Sequence, residues 1–213
     1  MTRPVLYVLA GANGAGKSSI GGFLLEQQGL TWFNPDTFAR ELMAATGCDQ
    51  GTANGKAWAE GLRRLKEAIA DGRNHAFETT LGGTTMTGTI LNASPTHDVL
   101  IWFCGLSSAE QHIARVRARV AAGGHDIPEE RIRGRYTRAV LNLIKILPHT
   151  AGLVVYDNSV EAGADNTVPD PVLVLQVENG QVRWPAADDL DTLARTPAWA
   201  RPIVEAAFTL PRN

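Results

Sequence analysis

Residues 11–19 read "GANGAGKSS" and follow directly on the apolar run "VLYVLA" of Val5–Ala10. Gly11, Gly16, Lys17 and Ser18 fit the pattern G-x-x-x-x-G-K-[ST]. Glycines there let the backbone come close to a phosphate. Backbone N–H groups from Asn13 to Ser18 would then wrap it, Lys17 would reach the β- and γ-phosphates, and the Ser18 hydroxyl would hold Mg²⁺. A glycine-rich turn can match by chance, so the context matters: the pattern needs a strand before it and a helix after it. The apolar run supplies the strand, and "KSSIGGFLLEQQ" predicts a helix from Lys17 onward. The expected nucleotide contacts are Gly11, Ala12, Asn13, Gly14, Ala15, Gly16, Lys17, Ser18 and Ser19.

Working outward, the order strand–loop–helix recurs to residue 158. "LTWFN" (Leu30–Asn34), "HAFETT", "HDVLIWFCG" and "AGLVVYDNS" read as further strands. Between them lie helices. One begins at Pro35 or Asp36 and stops at Gly47; the next carries Trp58, Leu62, Leu65 and Ile69 at helical spacing. "TTMTGTILNAS" is a weaker helix, a Ser-capped helix runs to Gly123-Gly124, and another opens at Pro128 with two glutamates in its first turn. This alternation predicts a three-layer α/β/α fold with a mostly parallel five-stranded sheet. The tail departs from it. "PVLVLQVENGQVRW" is a hairpin signal around Asn179-Gly180, and "TPAWARPIVEAAF" closes as a short helix. With 213 residues, one domain over 1–213 is expected, with an Arg-rich helical lid at about 115–138 and the hairpin and last helix at about 171–213.

Composition narrows the function classes. A net charge of −2 gives no general footprint for nucleic acid or an anionic membrane, so neither is expected as a partner. The two cysteines, Cys48 and Cys104, form no metal-binding pattern, and Cys104 ends an apolar run as a small buried hydrophobe would. No apolar run is long enough for a membrane span, and the N-terminal one is too short for a signal peptide, so a cytoplasmic protein is expected.

The wording of the glycine loop is close to that of transporter ATPases. Their partner motifs, an L-S-G-G-Q-like helix start and an apolar strand ending Asp-Glu, are missing, as are the N-K-x-D and D-x-x-G of GTPases. What stands instead suits phosphoryl transfer to a small molecule. Asp36 in "NPDT" follows the second strand, where open α/β sheets bind ligands; it can take a hydroxyl proton or cap a helix. Glu78, Thr79 and Thr80 end the third strand, where Glu78 can bind a substrate hydroxyl or amide, support Mg²⁺ through water, or simply enter a polar turn. Arg115, Arg117, Arg119, Arg131, Arg133, Arg135 and Arg138 lie on two helices hinged at Gly123-Gly124-His125. Arginines clamp a transferring phosphoryl group well, although a charge run is also what a solvated helix face looks like. Arg115 and Arg119 share one face, as do Arg131 and Arg135, while Arg117 and Arg133 point elsewhere. Asn158 in "YDNS" can touch the nucleotide base or form a turn.

Taken in order, "GANGAGKSS", "NPDTFAREL", "FETTL", "RVAAGGHDIPEERIRGRYTRAVLNL" and "YDNS" resemble the zeta-toxin family, and within it a short bacterial branch of predicted ATPases. The resemblance implies an ATP-dependent kinase acting with Mg²⁺ on a hydroxyl of UDP-N-acetylglucosamine or a related UDP-amino sugar, with an antitoxin protein as partner. It implies Lys17 and Ser18 at ATP·Mg²⁺, Asp36 as general base, and Glu78 and Thr80 at the sugar substrate. Arg119, Arg131 and Arg135 would meet the γ-phosphate, with Arg115 next. Glu60 is the nearest match for a second substrate-binding glutamate. The Gly-Gly-His hinge and the C-terminal hairpin depart from the family's pattern, which bears on the acceptor more than on the reaction. A kinase for another hydroxyl metabolite (a sugar acid, nucleoside or antibiotic) and a nucleotide-binding regulatory protein with little turnover are the alternatives.

Overall fold

Val5–Ala10 forms β1, and its residues from Leu6 on are buried almost without a break, apart from Tyr7. A strand covered on both faces has no polar side to show, which is why the run does not alternate. The computed structural model describes residues 2–18, 21, 30–161 and 169–211. In it β1 pairs in parallel with β2 (His75–Thr79) on one side and β3 (Asp98–Gly105) on the other, and β4 (Gly152–Asp157) extends the parallel set beyond β3. The expected helices appear as α1 (Pro35–Thr46), α2 (Gln50–Ala70), α3 (Thr84–Ala93), α4 (Ala109–Ala121) and α5 (Glu129–Ile146). Asn34, Gly47 and Ser108 cap helix ends as their residue types predict. The fold is three-layer α/β/α around a mostly parallel sheet.

Three details differ from the sequence expectation. First, "LTWFN" is not a strand. Only Phe33 pairs, as a parallel bridge to Phe77 on the outer edge of β2. Asn34 then turns to cap α1, and Pro35 has no N–H to continue a ladder. Second, the sheet has six strands in the order β2-β1-β3-β4-β5-β6. The hairpin forms at Asn179-Gly180, both with positive φ (48° and 75°), as a two-residue turn of this composition requires. Its strands β5 (Val172–Glu178) and β6 (Gln181–Trp184) join the main sheet through an antiparallel β4–β5 pair instead of standing apart. Val174, Leu175 and Val177 are buried, so β5 needs cover on both faces, and the free edge of β4 provides the place. Third, α2 buries Ala53, Ala57, Gly61, Leu65 and Ala68, so of the predicted stripe Leu65 is buried, Leu62 and Ile69 are half-buried, and Trp58 stays outside the core. Small residues let α2 lie close to α1, and Trp58 is left 51% exposed.

The tail ends in a short helix α6 (Leu190–Ala194) and in α7 (Arg201–Phe208), which buries Ile203, Val204 and Ala207 on the main core. Cys104 is buried, and burial pushes its thiol up to about 12. A separate small core of Ile113, Val116, Ile127 and Ile132 joins α4 to α5. Lys17 and Ser18 are helical, but the remainder of the helix predicted after the loop falls largely outside the described residues. Among the described residues no helix is long and apolar enough to cross a membrane.

Candidate active site

The four parallel strands end on one edge of the sheet, with Ala10 opposite Thr79 and Phe103 and Gly105 opposite Asp157. The glycine loop turns at this edge. Gly11 has φ +138°, and a β-carbon there would lie 2.2 Å from the Cys104 carbonyl oxygen, so the loop meets the β3 backbone directly. Gly14, at φ +81°, packs in the same way on the His112 carbonyl of α4. Protein donors hold the loop carbonyls. Ala12 O accepts from Lys17 Nζ (3.2 Å), Asn13 O from His112 Nδ1 (2.6 Å) and Ala15 O from Asn158 Nδ2 (3.0 Å). Gly14 and Gly16 are left-handed (φ 81° and 85°), a conformation that suits the turns whose successive N–H groups form an anion-binding concavity. His112 is 1% exposed, and burial lowers its pKa to about 4, against an opposing pull from the Asn13 hydrogen bond. It is therefore a neutral ring donating from Nδ1.

Below the loop lies a polar cluster centred on the buried Lys17 and Glu78. Lys17 Nζ stands 3.5 Å from Glu78 Oε1, with the two side chains 7% and 10% exposed. Glu78 Oε2 accepts from Ser18 Oγ (2.8 Å) and from Asn34 Nδ2 (3.1 Å). Asn34 Oδ1 accepts from the N–H groups of Asp36 (2.9 Å) and Thr37 (3.2 Å), closing the first turn of α1. A hydroxyl beside a carboxylate is an oxygen donor pair that fits a hard divalent cation completing its shell with water and phosphate oxygens. Among the described residues no group of three or more His, Cys, Asp or Glu side chains could hold a metal by themselves.

Because Asn34 caps α1, the Asp36 carboxylate is free for other work. It faces Arg119 Nη1 at 3.5 Å and His125 Nε2 at 3.8 Å, and it is 46% exposed. Arg119 Nη2 also donates to His125 O (3.3 Å), so the Gly123-Gly124-His125 hinge leans on Asp36. Asp36, Lys17 and Glu78 line a cavity of about 470 Å³. Thr79, Thr80 and Met86 line it on one side, His125, Arg131, Arg135 and Arg138 on another, and Trp58 stands in its wall. Arg135 Nη1 donates to Asn13 Oδ1 of the glycine loop (2.7 Å). Burial, then the neighbouring Arg131, pull the Arg135 pKa down.

The turn after β2 is held from α5. Asn142 Nδ2 donates to Leu81 O (2.6 Å) and Arg138 Nε to Gly82 O (3.0 Å). Thr79 and Thr80 hydroxyls accept from the Leu81 and Gly82 N–H groups, and each keeps a proton to donate. Leu81 is buried at φ +49°, an uncommon conformation for leucine.

Several predicted residues stand elsewhere. Glu60 does not line the cavity; it pairs with Arg63 (2.7 Å) and Arg64 (2.6 Å), whose hydrogen bonds hold its pKa at about 2. Helical spacing explains this, since both arginines lie within one turn of it. Arg115 donates to the carbonyls of Asn158 (2.7 Å) and Val160 (3.2 Å), and Asn158 spends its amide on Ala15 O; both brace the loop from behind. Arg117 pairs with Glu129 and Arg133 with Glu110, on the surface between α4 and α5. Ser19 lies outside the described residues. Sequence reasoning did not single out Asn34, His112 and Asn142 as site residues. Only Asn34 carries a local signal, as the Asn-Pro pair that opens a helix.

No family model matches the chain, and no curated protein sequence matches it. Solved structures do. A chain of the AvrRxo1-ORF1:-ORF2 complex with ATP superposes with a TM-score of 0.66 at 14% identity, over 92% of this chain and 64% of its own. The native complex gives 0.64 at 14% identity, over 99% and 72%. A candidate kinase from Chloroflexus aurantiacus gives 0.52 at 18% identity, over 63% and 78%. These structures share the three-layer α/β/α fold of this chain. The chain spans 64% of the AvrRxo1 chain solved with ATP, and at these identities the likeness is one of fold.

Proposed function

We propose that the protein is an ATP-dependent phosphotransferase that acts on a hydroxyl of a small molecule. One observation carries the reading: Lys17 of the glycine loop and Asp36, a carboxylate released from capping, line the same cavity. In this scheme the loop and Lys17 bind the triphosphate of ATP, and Ser18 and Glu78 are the oxygen donors toward Mg²⁺, which when bound offsets phosphate charge. Asp36 accepts the proton of the acceptor hydroxyl. Arg131 and Arg135 meet the charge that develops on the transferred phosphoryl group, and Arg119 holds Asp36 in place. The small core joining α4 and α5 suits an arm that moves as a unit over the cavity.

The preferred acceptor is UDP-N-acetylglucosamine or a related UDP-amino sugar, with Thr79, Thr80 and the cavity face of Glu78 toward the sugar. This rests on the resemblance of the five motifs to zeta toxins, together with a cavity whose arginines suit an anionic acceptor. A fold shared with a protein solved with ATP supports the co-substrate. That protein's complex with a second chain is in keeping with an antitoxin-like partner here. The test incubates the purified protein with ATP·Mg²⁺ and UDP-N-acetylglucosamine and reads product mass. A gain of one phosphate, lost in Asp36→Asn, is expected. No product from this sugar, with product from another acceptor, would remove the acceptor claim alone. Unchanged turnover in Asp36→Asn would remove the general-base role.

A further inference from the structure

The Asn34 side chain touches both halves of the site. Its amide uses its full hydrogen-bonding capacity in two opposite directions. Oδ1 accepts from the N–H groups of Asp36 and Thr37, at 2.9 and 3.2 Å, at the start of the helix that carries Asp36. Nδ2 donates to Glu78 Oε2 at 3.1 Å and reaches Ser18 Oγ at 3.4 Å. The preceding residue is pinned as well, because Phe33 pairs with β2 on both sides (Phe33 N to Ala76 O, 2.9 Å; Glu78 N to Phe33 O, 3.0 Å). The backbone on either side of Asn34 is therefore fixed to β2 and to α1, and its side chain joins Glu78 to the Asp36 turn.

We propose that Asn34 is a positioning residue that sets the distance between the phosphate-and-metal end of the site and the Asp36 carboxylate. The inference rests on the phosphotransferase reading above. Its chemistry is specific to an amide. Serine and aspartate cap helices about as well as asparagine, so capping alone would tolerate either. Neither supplies a neutral donor aimed at Glu78. In Asn34→Asp a second carboxylate oxygen would face Glu78 Oε2, repelling it and drawing a cation more strongly to the pair. In Asn34→Ser the side chain is too short to span to Glu78 while still capping α1.

The experiment measures three quantities on the full chain and both variants: thermal midpoint, ATP·Mg²⁺ affinity by calorimetry across Mg²⁺ concentrations, and kcat and KM with the acceptor identified for the wild type. The expected result is a thermal midpoint within a few degrees of wild type for both variants, because the cap survives. With it should come a fall in kcat of about tenfold or more, as expected when a reacting group is misplaced by a fraction of an ångström, and little change in acceptor KM. Asn34→Asp should also reach half-maximal ATP binding at a lower Mg²⁺ concentration. Wild-type kcat and Mg²⁺ dependence in both variants would overturn the inference and leave Asn34 a cap. A wild-type protein that neither binds ATP·Mg²⁺ nor transfers phosphate would overturn the functional reading, and this inference with it. A wild type that transfers, with Asn34→Asp transferring equally well, would overturn only this inference.

Discussion

The two ends of the cavity are built to different standards. At the Lys17 end Lys17 and Glu78 are buried, and Glu78 gathers Lys17, the exposed Ser18 and the half-buried Asn34 within 3.5 Å. At the Asp36 end the carboxylate is about half-exposed, and its two cationic neighbours stand at 3.5 and 3.8 Å. The first end is held by backbone, because Phe33 bridges to Phe77 of β2 and its carbonyl accepts from the Glu78 N–H. The second is met by Arg119 of α4 and by His125 after the Gly123-Gly124 turn, and α4 joins α5 through a small core of its own. On the proposed phosphotransferase reading, a rigid phosphate end and an adjustable acceptor end would fix one substrate and close over another.

The sharpest way to break this comparison is Asp36→Asn. It should lower phosphoryl transfer by about 10²- to 10⁴-fold, the usual worth of a general base, while ATP binding measured by calorimetry stays at its wild-type value. Equal loss of binding and turnover would mean that the two ends are not separate.

Next in size is Glu78→Ala, which leaves Lys17 buried without its partner. Removing one member of a buried pair costs about 3–5 kcal/mol, and urea denaturation should show a loss of this order. The matching change at the other end, Asp36→Ala, removes a half-exposed contact and should cost under about 1 kcal/mol. Similar losses at both ends would erase the distinction.

These contrasts mark how far the sequence could be read. The glycine loop, the four parallel strands and the Asp36 position follow from local pattern, because strand burial and helix starts are written in neighbouring residues. The docking of the hairpin on β4 was not legible. A hairpin signal says how two strands turn, and nothing in it names the edge that will receive them. Nor was the division of the arginines. Arg115 and Arg135 both stand in Arg-rich helical stretches, yet one braces the Asn158 carbonyl and the other lines the cavity, a choice made by tertiary packing. The cap was expected at Asp36, and Asn34 was legible only through the Asn-Pro pair that opens a helix. Its second pair of hydrogen bonds depends on Glu78, 44 residues away in sequence, and no local rule reaches that far.

His112 tests the rigid end through pH. Its ring is held neutral against the Asn13 carbonyl, with a folded pKa of about 4 against 6.5 when unfolded. The stabilisation is complete above pH 6.5, where neither state takes the proton. As pH falls below that, the unfolded chain protonates first and stability declines, by about 2 kcal/mol at pH 5 and roughly 3 kcal/mol by pH 4. His112→Gln, a neutral donor, should lose this component of the slope. The difference between the two proteins' urea-derived stabilities between pH 7 and 5 is the measurement, since most carboxylates stay ionised there. Parallel curves would mean that the ring is not held neutral.

The smallest effect is expected at Glu60, and it decides a point that resemblance alone would settle the other way. Matching motifs put Glu60 near a substrate-binding glutamate, whereas its carboxylate is spent on Arg63 and Arg64 on the outer face of α2. Arg64 is in turn seated over the Phe33 ring, 4.9 Å from its centre, so the guanidinium has a second reason to stay where it is. Solvent screens such surface pairs, and Glu60→Gln should leave the thermal midpoint within about 2 °C of wild type and acceptor KM unchanged. By contrast Thr80→Val, on the cavity wall, should raise KM by the worth of one neutral hydrogen bond, about 1 kcal/mol or roughly fivefold. Should the order be reversed, with Glu60→Gln raising KM and Thr80→Val leaving it alone, α2 must turn its Glu60 face inward when the acceptor binds. The adjustable part of the site would then extend beyond the hinged arm to the helix that carries Trp58.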